Sequence, residues 1–291
     1  KTTLYVFSHN QHFDFNIVDG FSFLGKLGFK LKQTVVESDV FIIRACSKNR
    51  SIVFIDSTNY FKVPLAALGK MVGLEKLKVD FETVSDDKLV EYCSRDVDIL
   101  ARVIVTLLDF LRVNNLGGFA PTAAGLAFKA FRHRFMKTEI FIHRHPQGLR
   151  LEEDSYRGGR NECFRIGRFE GLRVYQLDVN SMYPSVMLNN YYPVKLVKHV
   201  ANGSLRGLLN AMTRFLVIAD VEITIDEPII GLRKDKLIFP VGAFRATLTS
   251  PELEQVLLHG RINRVYAYNL YEAARIFDDY VSFFHGLKEK S

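Results

Sequence analysis

Apolar and polar positions alternate over Thr2-Thr3-Leu4-Tyr5-Val6-Phe7-Ser8, and the run is rich in β-formers, which predicts a strand ending near Ser8. Two more strands are predicted at 40–45 (VFIIRA) and 51–57 (SIVFIDS). A helix is expected from Pro64 to Val72, ending near Gly73. From Ser85 the spacing turns helical: Leu89, Tyr92 or Cys93, then Ile99, Leu100, Val103, Ile104, Leu107 and Leu111. Ser85 suits the N-cap, Asp86 and Asp87 suit the first turn, and Asn114-Asn115-Leu116-Gly117-Gly118 is a stop. Strands followed by a short and a long helix imply an α/β layer closing near residue 117.

Further along, 122–137 reads as a basic amphipathic helix capped by Thr122. Its Lys129, Arg132, Arg134 and Lys137 suit either a nucleic acid backbone or a solvated face. Val174-Tyr175-Gln176-Leu177 reads as a strand that opens a second domain and ends at Asp178. Strands are expected at 214–225 and 261–271. Between them lies a helix over 250–260, with Ser250 as N-cap, Pro251 at the first position and Gly260 as stop. The final stretch, AARIFDDYVSFFHGLKEKS, reads as a helix.

A chain of 291 residues suits about two domains, and 48% hydrophobic with 24% charged residues is ordinary for a globular protein. A formal charge of +7 favours a polyanionic partner, though many basic proteins bind none. Cys46, Cys93 and Cys163 are far apart and show no zinc-ligand spacing. Three is also an odd number, which argues against a disulfide framework and for a reducing compartment. No apolar run approaches the ~20 residues of a membrane span. The first residues lack a leader pattern and do not begin with Met, so the chain reads as an interior piece of something longer, although a cloned domain would look the same.

Three acids stand beside aromatic residues. Asp14, in HNQHFDF, follows a strand and alone reads as a capping residue. Asp96 shares a helix face with Tyr92, four residues before it. That face is otherwise apolar, so Asp96 is either a flank residue or a partly buried carboxylate in need of a partner such as a metal ion. Asp178 stands where a predicted strand meets Asn180, Ser181, Tyr183 and Pro184, which by itself is a β-to-turn junction. Dispersed rigid carboxylates are what phosphodiester chemistry requires. Two divalent ions ~4 Å apart grip the attacking and leaving oxygens, and Mg²⁺ takes only one or two carboxylates each.

These stretches together resemble family B DNA polymerases. Asn10-Gln11-His12-Phe13-Asp14 is similar to the second exonuclease motif, and Tyr92-Cys93-Ser94-Arg95-Asp96 to the third. Asp178-Val179-Asn180-Ser181-Met182-Tyr183-Pro184-Ser185 resembles the first polymerase motif, with Met182 for Leu. Tyr156-Arg157-Gly158-Gly159 resembles the Tyr-x-Gly-Gly motif of the protein-primed branch. The four motifs stand in the family's order, and the resemblance covers nearly the whole chain.

The resemblance implies an α/β (α+β) fold: an RNase H-like 3′→5′ exonuclease domain at 1–117, a helical connector at 118–155, and the start of a polymerase palm at 156–198. An insertion resembling the priming-protein contact region would follow at 199–276, then a helix at 277–291. It implies Mg²⁺ or Mn²⁺ on Asp14, Asp96 and Asp178, with Tyr92 and Lys78 assisting; Lys78 fits the family's Lys-x-x-hydrophobic motif and equally a solvated loop lysine. His9, Asn10 and Phe13 would meet a frayed strand, Ser57 would touch DNA, and Tyr156, Gly158 and Gly159 the template, with Arg157 and Arg160 nearby; Thr58 departs from the family's Ser-Leu pattern. Ser181, Met182 and Tyr183 would receive the nucleotide, the backbone of 180–182 facing the triphosphate and Tyr183 excluding a 2′-hydroxyl. Implied partners are primer-template DNA, deoxynucleoside triphosphates and a priming protein, with no membrane. The family's upstream Asp-x-Glu and downstream Asp-Thr-Asp motifs are not in the chain, so each metal centre is half built and the chain alone is expected to catalyse nothing efficiently. The alternative is a non-catalytic DNA- or protein-binding module that keeps this fold.

Overall fold

A computed structural model describes residues 2–37 and 40–290. It divides into two compact units, Lys1–Phe135 and Met136–Ser291. The segment 118–155 that the sequence suggests as a connector is thus shared between them.

The first unit begins with β1 (Thr2–Ser8), α1 (Gln11–Ile17), α2 (Gly20–Lys26), β2 (Lys30–Glu37), β3 (Val40–Ser47) and β4 (Arg50–Asp56). The sheet order is β1-β4-β3-β2, with β1 parallel to β4 and the other pairs antiparallel. The stretch Phe41–Ile43 of β3 is apolar without alternation because both of its faces are covered there, while Arg44 is exposed. Phe41, Ile43 and Ala45 pack with Phe15 and Leu24 from the two helices, while Ile42 packs on the other face with Val53 and Ile55. Three helices follow: α3 (Leu65–Met71), α4 (Asp86–Val113) and α5 (Ala123–Ala130). Leu68 of α3 packs with Ile99 and Val103 of α4. Ser85 precedes α4 in extended conformation, but its side chain makes no cap hydrogen bond. Thr122 does cap α5, its hydroxyl accepting from the Gly125 amide at 3.0 Å. A wider turn, Phe131–Phe135, then buries both terminal rings. Lys129 and Arg134 donate to the carbonyls of Phe119 and Asn114, so these two cations tie the helix to the preceding loop.

The second unit contains α6 (Pro146–Ser155), α7 (Met182–Met187), β5 (Tyr192–Ala201), α8 (Leu205–Met212), β6 (Leu216–Ile225), the short β7 (Leu232–Arg233) and β8 (Leu237–Ile238), β9 (Gly242–Thr249), α9 (Ser250–His259), β10 (Gly260–Ala274) and α10 (Asp278–Lys288). Its sheet runs β5-β10-β6-β9, all antiparallel. β6 alternates strictly: Val217, Ala219, Val221, Ile223 and Ile225 enter the core, with Leu208 of α8 and Leu253 and Val256 of α9.

Several expectations need correction. Residues 174–177 form no strand; among the described residues no strand pairs with them, and Val174, Tyr175 and Leu177 are exposed. Ser250 is not the cap of α9. Thr249 is, with its amide and hydroxyl both donating to Glu252, at 2.8 and 2.9 Å. Ser250 instead accepts from the Val217 amide at 2.7 Å and stitches α9 to β6. Gly260 ends the helix in extended conformation, and a side chain there would collide with the Thr224 carbonyl of β6. Ala273 and Ala274 finish β10, so the last helix starts only at Asp278.

One buried carboxylate orients α1. Asp56, at the end of β4, accepts from the amides of Asn10 (3.1 Å), Gln11 (2.8 Å) and Thr58 (2.8 Å). Removing it strands three amides. We expect Asp56→Ala to lower unfolding free energy by about 3 kcal/mol in urea titrations, with Asp56→Asn losing less because one acceptor oxygen remains. Equal stability of Asp56→Ala and the parent would show that water replaces the carboxylate fully.

Candidate functional site

In the first unit, the chain leaves β1 and turns through Asn10, which adopts a left-handed conformation (φ 74°) that Asn tolerates better than most residues. The Asp56 carboxylate then supplies the acceptor that α1 lacks locally. Gln11 and Phe15 are buried, which fixes the helix by one face and leaves His12, Phe13 and Asp14 exposed. His9 is held from behind, its Nδ1 lying 2.9 Å from the Ser57 hydroxyl. Ser57 is completely buried, so it positions His9 and cannot itself touch a strand; its expected DNA contact is corrected on that ground.

On α4, Asp96 lies three and seven residues before the buried Ile99 and Val103, at the edge of the packed face. Its side chain is 26% exposed, and Oδ1 is buried with no hydrogen-bond partner. Lys76 donates to Oδ2 and also lies over the Tyr92 ring, 4.2 Å from its centre. Phe81 meets that ring edge-on, the centroids 5.6 Å apart. The loop carrying Lys76 is pinned by Arg95, which donates to the Glu75 carbonyl at 3.1 Å. Burial works to lower the Lys76 pKa, but hydrogen bonds to Asp96 and Tyr92 and the nearby carboxylate charge outweigh it and hold the ammonium above its ordinary value. The lysine that reaches Asp96 is therefore Lys76, while Lys78 is exposed two residues further on. Lys76 also begins a Lys-x-x-hydrophobic run, Lys76-Leu77-Lys78-Val79, and that signal was available in the sequence.

Among the described residues no group of three or more His, Cys, Asp or Glu side chains is placed to hold a metal ion. The unpaired Oδ1 of Asp96 nonetheless fits a cation ligand, since a buried carboxylate oxygen without a partner is what a bound ion relieves. Asp178 shows no such fit: it is exposed on an irregular segment.

In the second unit, α6 is tied to the sheet by a polar network. Asn269, fully buried, donates to the Gly148 carbonyl (3.0 Å) and to the Tyr271 hydroxyl (2.7 Å), which donates to Glu152 (2.6 Å). Burial, with Glu152 beside it, pushes the Tyr271 phenol far above its ordinary pKa. The YRGG stretch leaves the end of this anchored helix. Tyr156 is exposed, but Arg157 turns inward to the Thr247 carbonyl and to Glu252, at 2.5 Å from the carboxylate. Arg160 pairs with Glu162 and bonds the Pro228 carbonyl. Gly158 and Gly159 have open space where a side chain would stand, and neither has positive φ. Past Asp178, Ser181 is left-handed (φ 54°) and opens α7. The Met182 amide donates to the Val179 carbonyl at 3.2 Å, so it closes a turn instead of facing outward as expected. Tyr183 lies within α7 and is 74% exposed.

Comparison with known proteins gives this arrangement a family. The profile of DNA polymerase type B, organellar and viral, matches residues 73–291, and the chain belongs to that family. A probable DNA polymerase of Neurospora intermedia is 23% identical over 230 residues, which is 70% of this chain and 22% of that protein. Among solved structures, phi29 DNA polymerase in its ternary complex with primer-template DNA and incoming nucleotide superposes with a TM-score of 0.68 at 16% identity, over 96% of this chain and 55% of that one. Its complex with single-stranded DNA gives 0.64 at 17% identity, over 99% and 55%. At these identities the likeness is one of fold: the mixed α/β architecture is that of the corresponding part of phi29 DNA polymerase. The chain spans about a fifth of the Neurospora relative and just over half of the phi29 polymerase.

Two outcomes follow from this geometry. The Lys76 ammonium, whose folded pKa is raised, contributes stability that is complete below the ordinary lysine value of 10.5 and is lost as pH rises through the higher folded value. Lys76→Met should therefore lower stability at neutral pH and flatten the alkaline fall in melting temperature; an unchanged alkaline profile would remove Lys76 from the pair. Gly158→Ala should leave melting temperature within experimental error, because the added methyl meets nothing; a clear loss would mean that the segment is packed more closely than described.

Proposed function

We propose that the complete polypeptide is a DNA-directed DNA polymerase, primed by a protein, with 3′→5′ proofreading. The observation that carries the proofreading half is the Asp96 carboxylate, with one oxygen buried and unpaired and Lys76 and Tyr92 against the other side. Asp96 and Asp14 would hold Mg²⁺ or Mn²⁺. Such ions, when bound, neutralise phosphoryl oxygens and activate the attacking water. Lys76 places a positive charge beside Asp96 and limits where that side chain can swing. Tyr92 holds the lysine over its ring, and its hydroxyl would assist excision beside Asp96. Lys78, exposed on the same loop, is free to meet a strand's phosphates. Phe13 offers a face for base stacking, and the Ser57-braced His9 lies close by in the chain.

The polymerase half is supported by family membership and by the motif order, with Asp178, Ser181, Met182 and Tyr183 as the nucleotide side and Tyr156, Gly158 and Gly159 as the template side. The phi29 polymerase was captured with primer-template DNA, in one complex together with incoming nucleotide, which supports the same partners here. The region 199–276, built around β6 and β10, is the surface for a priming protein. Asp178 is exposed on an irregular segment, and among the described residues it joins no group of three or more His, Cys, Asp or Glu placed to hold a metal ion, which favours binding without efficient catalysis by the 291-residue chain alone.

In the complete polypeptide, Asp14→Ala and Asp96→Ala should each cut excision of a mismatched primer terminus by roughly 100-fold or more while extension persists. Asp178→Ala should abolish extension and spare excision. Tyr183→Val should raise ribonucleotide use relative to deoxyribonucleotide. Loss of both activities in every variant would speak for a shared structural defect and against two separate centres.

A further inference from the structure

We propose that His143 and His145 form an acid-sensitive latch that fastens the start of α6 to β5 and β10 and opens when the imidazoles take up protons. The segment leading into α6 runs beside β5, the Phe141 amide donating to the Val194 carbonyl at 2.8 Å. His145 is the N-cap of α6, and its Nδ1 accepts from the Gly148 amide at 3.0 Å. His143 accepts from the His145 amide through its own Nδ1 at 3.2 Å, and its Nε2 lies 2.7 Å from Glu152. An imidazole nitrogen that accepts a hydrogen bond carries no proton, so both rings are neutral and hold their proton on Nε2.

These bonds close a circuit. Asn269 donates to the Gly148 carbonyl and to the Tyr271 hydroxyl, Tyr271 donates to Glu152, and His143 donates to the same carboxylate oxygen. Glu152 only accepts, and the Asn269 side-chain nitrogen only donates, so the direction of every bond is set. Burial, with Glu152 beside it, holds the Tyr271 phenol above its ordinary pKa and keeps it a donor. A proton added to Nδ1 of either histidine would point at an amide N–H. The Gly148 amide has no ready substitute for His145. Gly148 is buried, and a side chain on it would stand 3.2 Å from His143 Cε1, 3.3 Å from His145 Nδ1 and 3.4 Å from Leu196 Cδ2. An amide so enclosed is costly to leave unpaired.

Charge acts in the same direction. A cationic His145 would stand at the positive end of the α6 dipole, with its ring centre 4.9 Å from that of His199 on β5. The groups facing the pair are Glu152 on α6, His199 on β5 and Tyr271 on β10; Lys195 of β5 lies over the neighbouring Phe141 ring and pairs with Glu272 of β10. Glu152 would keep its bond to a charged His143, but the His145 amide would still lose its acceptor. His199 behaves differently. Its Nδ1 donates to the Asn269 oxygen at 2.8 Å, so a proton on its Nε2 leaves the circuit whole. Imidazoles change charge between pH 5 and 8, so the latch is shut at mildly alkaline pH and open in acid. The other end of α6 leads into Tyr156-Arg157-Gly158-Gly159.

NMR of the 291-residue chain between pH 8 and pH 5 tests this. At pH 8 the ring nitrogen shifts should show the Nε2–H tautomer for both His143 and His145. On acidification to pH 5 the protection of the Gly148 amide against hydrogen exchange should fall roughly tenfold, while the amide of Val256 inside α9 keeps its protection. His145→Asn supplies a cap oxygen that does not titrate, and should keep the Gly148 amide protected at pH 5. His199→Gln should leave the pH response in place. An Nδ1–H tautomer on either ring at pH 8, a Gly148 amide indifferent to pH, or an equal loss at Val256 would overturn the proposal. So would a Gly148 response that survives His145→Asn or vanishes with His199→Gln.

Discussion

The Asp56 carboxylate carries more of the first unit than its single charge suggests. It ends β4, the strand that β1 lies beside in parallel register, and its two oxygens take up the amides that begin α1 and the amide of Thr58. Helices leave their first amides unsatisfied, and α1 has only seven residues and no cap of its own. Without Asp56 the turn at Asn10 would have no fixed direction, and neither Phe15 in the core nor Asp14 outside it would be held in place. The neighbouring Ser57 extends the same clamp to His9. A long-range contact between a strand end and a helix start thus decides where the exposed acid points.

A second principle governs α4 and α6. Arg95 on α4 and Glu152 on α6 are matched by partners from distant segments, the Glu75 carbonyl and the Tyr271 hydroxyl. Asn269, Tyr271 and Glu152 satisfy one another and anchor α6 to β10. Asp96 and Arg157 are each satisfied on one side and left open on the other.

Much of this was legible in the sequence. Strands β1, β3, β4, β6 and β10 and helices α3, α4, α5 and α9 follow from periodicity and stop signals, because their packing partners impose a single period along each. What stayed hidden depends on residues far apart. Helix α1 is too short to show a period, and its cap comes from Asp56, 46 positions beyond Asn10. β5 and β9 are strands because β10 and β6 lie beside them, and 174–177 is not one because nothing does. Two lysines, Lys76 and Lys78, both open a Lys-x-x-hydrophobic run, and only the fold shows which of them reaches Asp96. The cap of α9 was readable, since Thr249-Ser250-Pro251-Glu252 carries the capping-box spacing that Ser250 lacks. For the candidate site, helical spacing placed Tyr92 and Asp96 on α4, but the short helix that carries Asp14, the inward turn of Arg157 and the burial of Ser57 required tertiary contacts.

The central claim is that Asp14 and Asp96 belong to one cation site built by α1 and α4. Mn²⁺ broadens NMR signals only close to where it binds, so its titration into the isotopically labelled chain tests this directly. The account predicts that the amides around Asp14 and Asp96 broaden together at the same low Mn²⁺ concentration, and that Asp96→Asn abolishes both effects at once. Broadening centred on other acids, or at Asp14 alone and indifferent to Asp96→Asn, would contradict it.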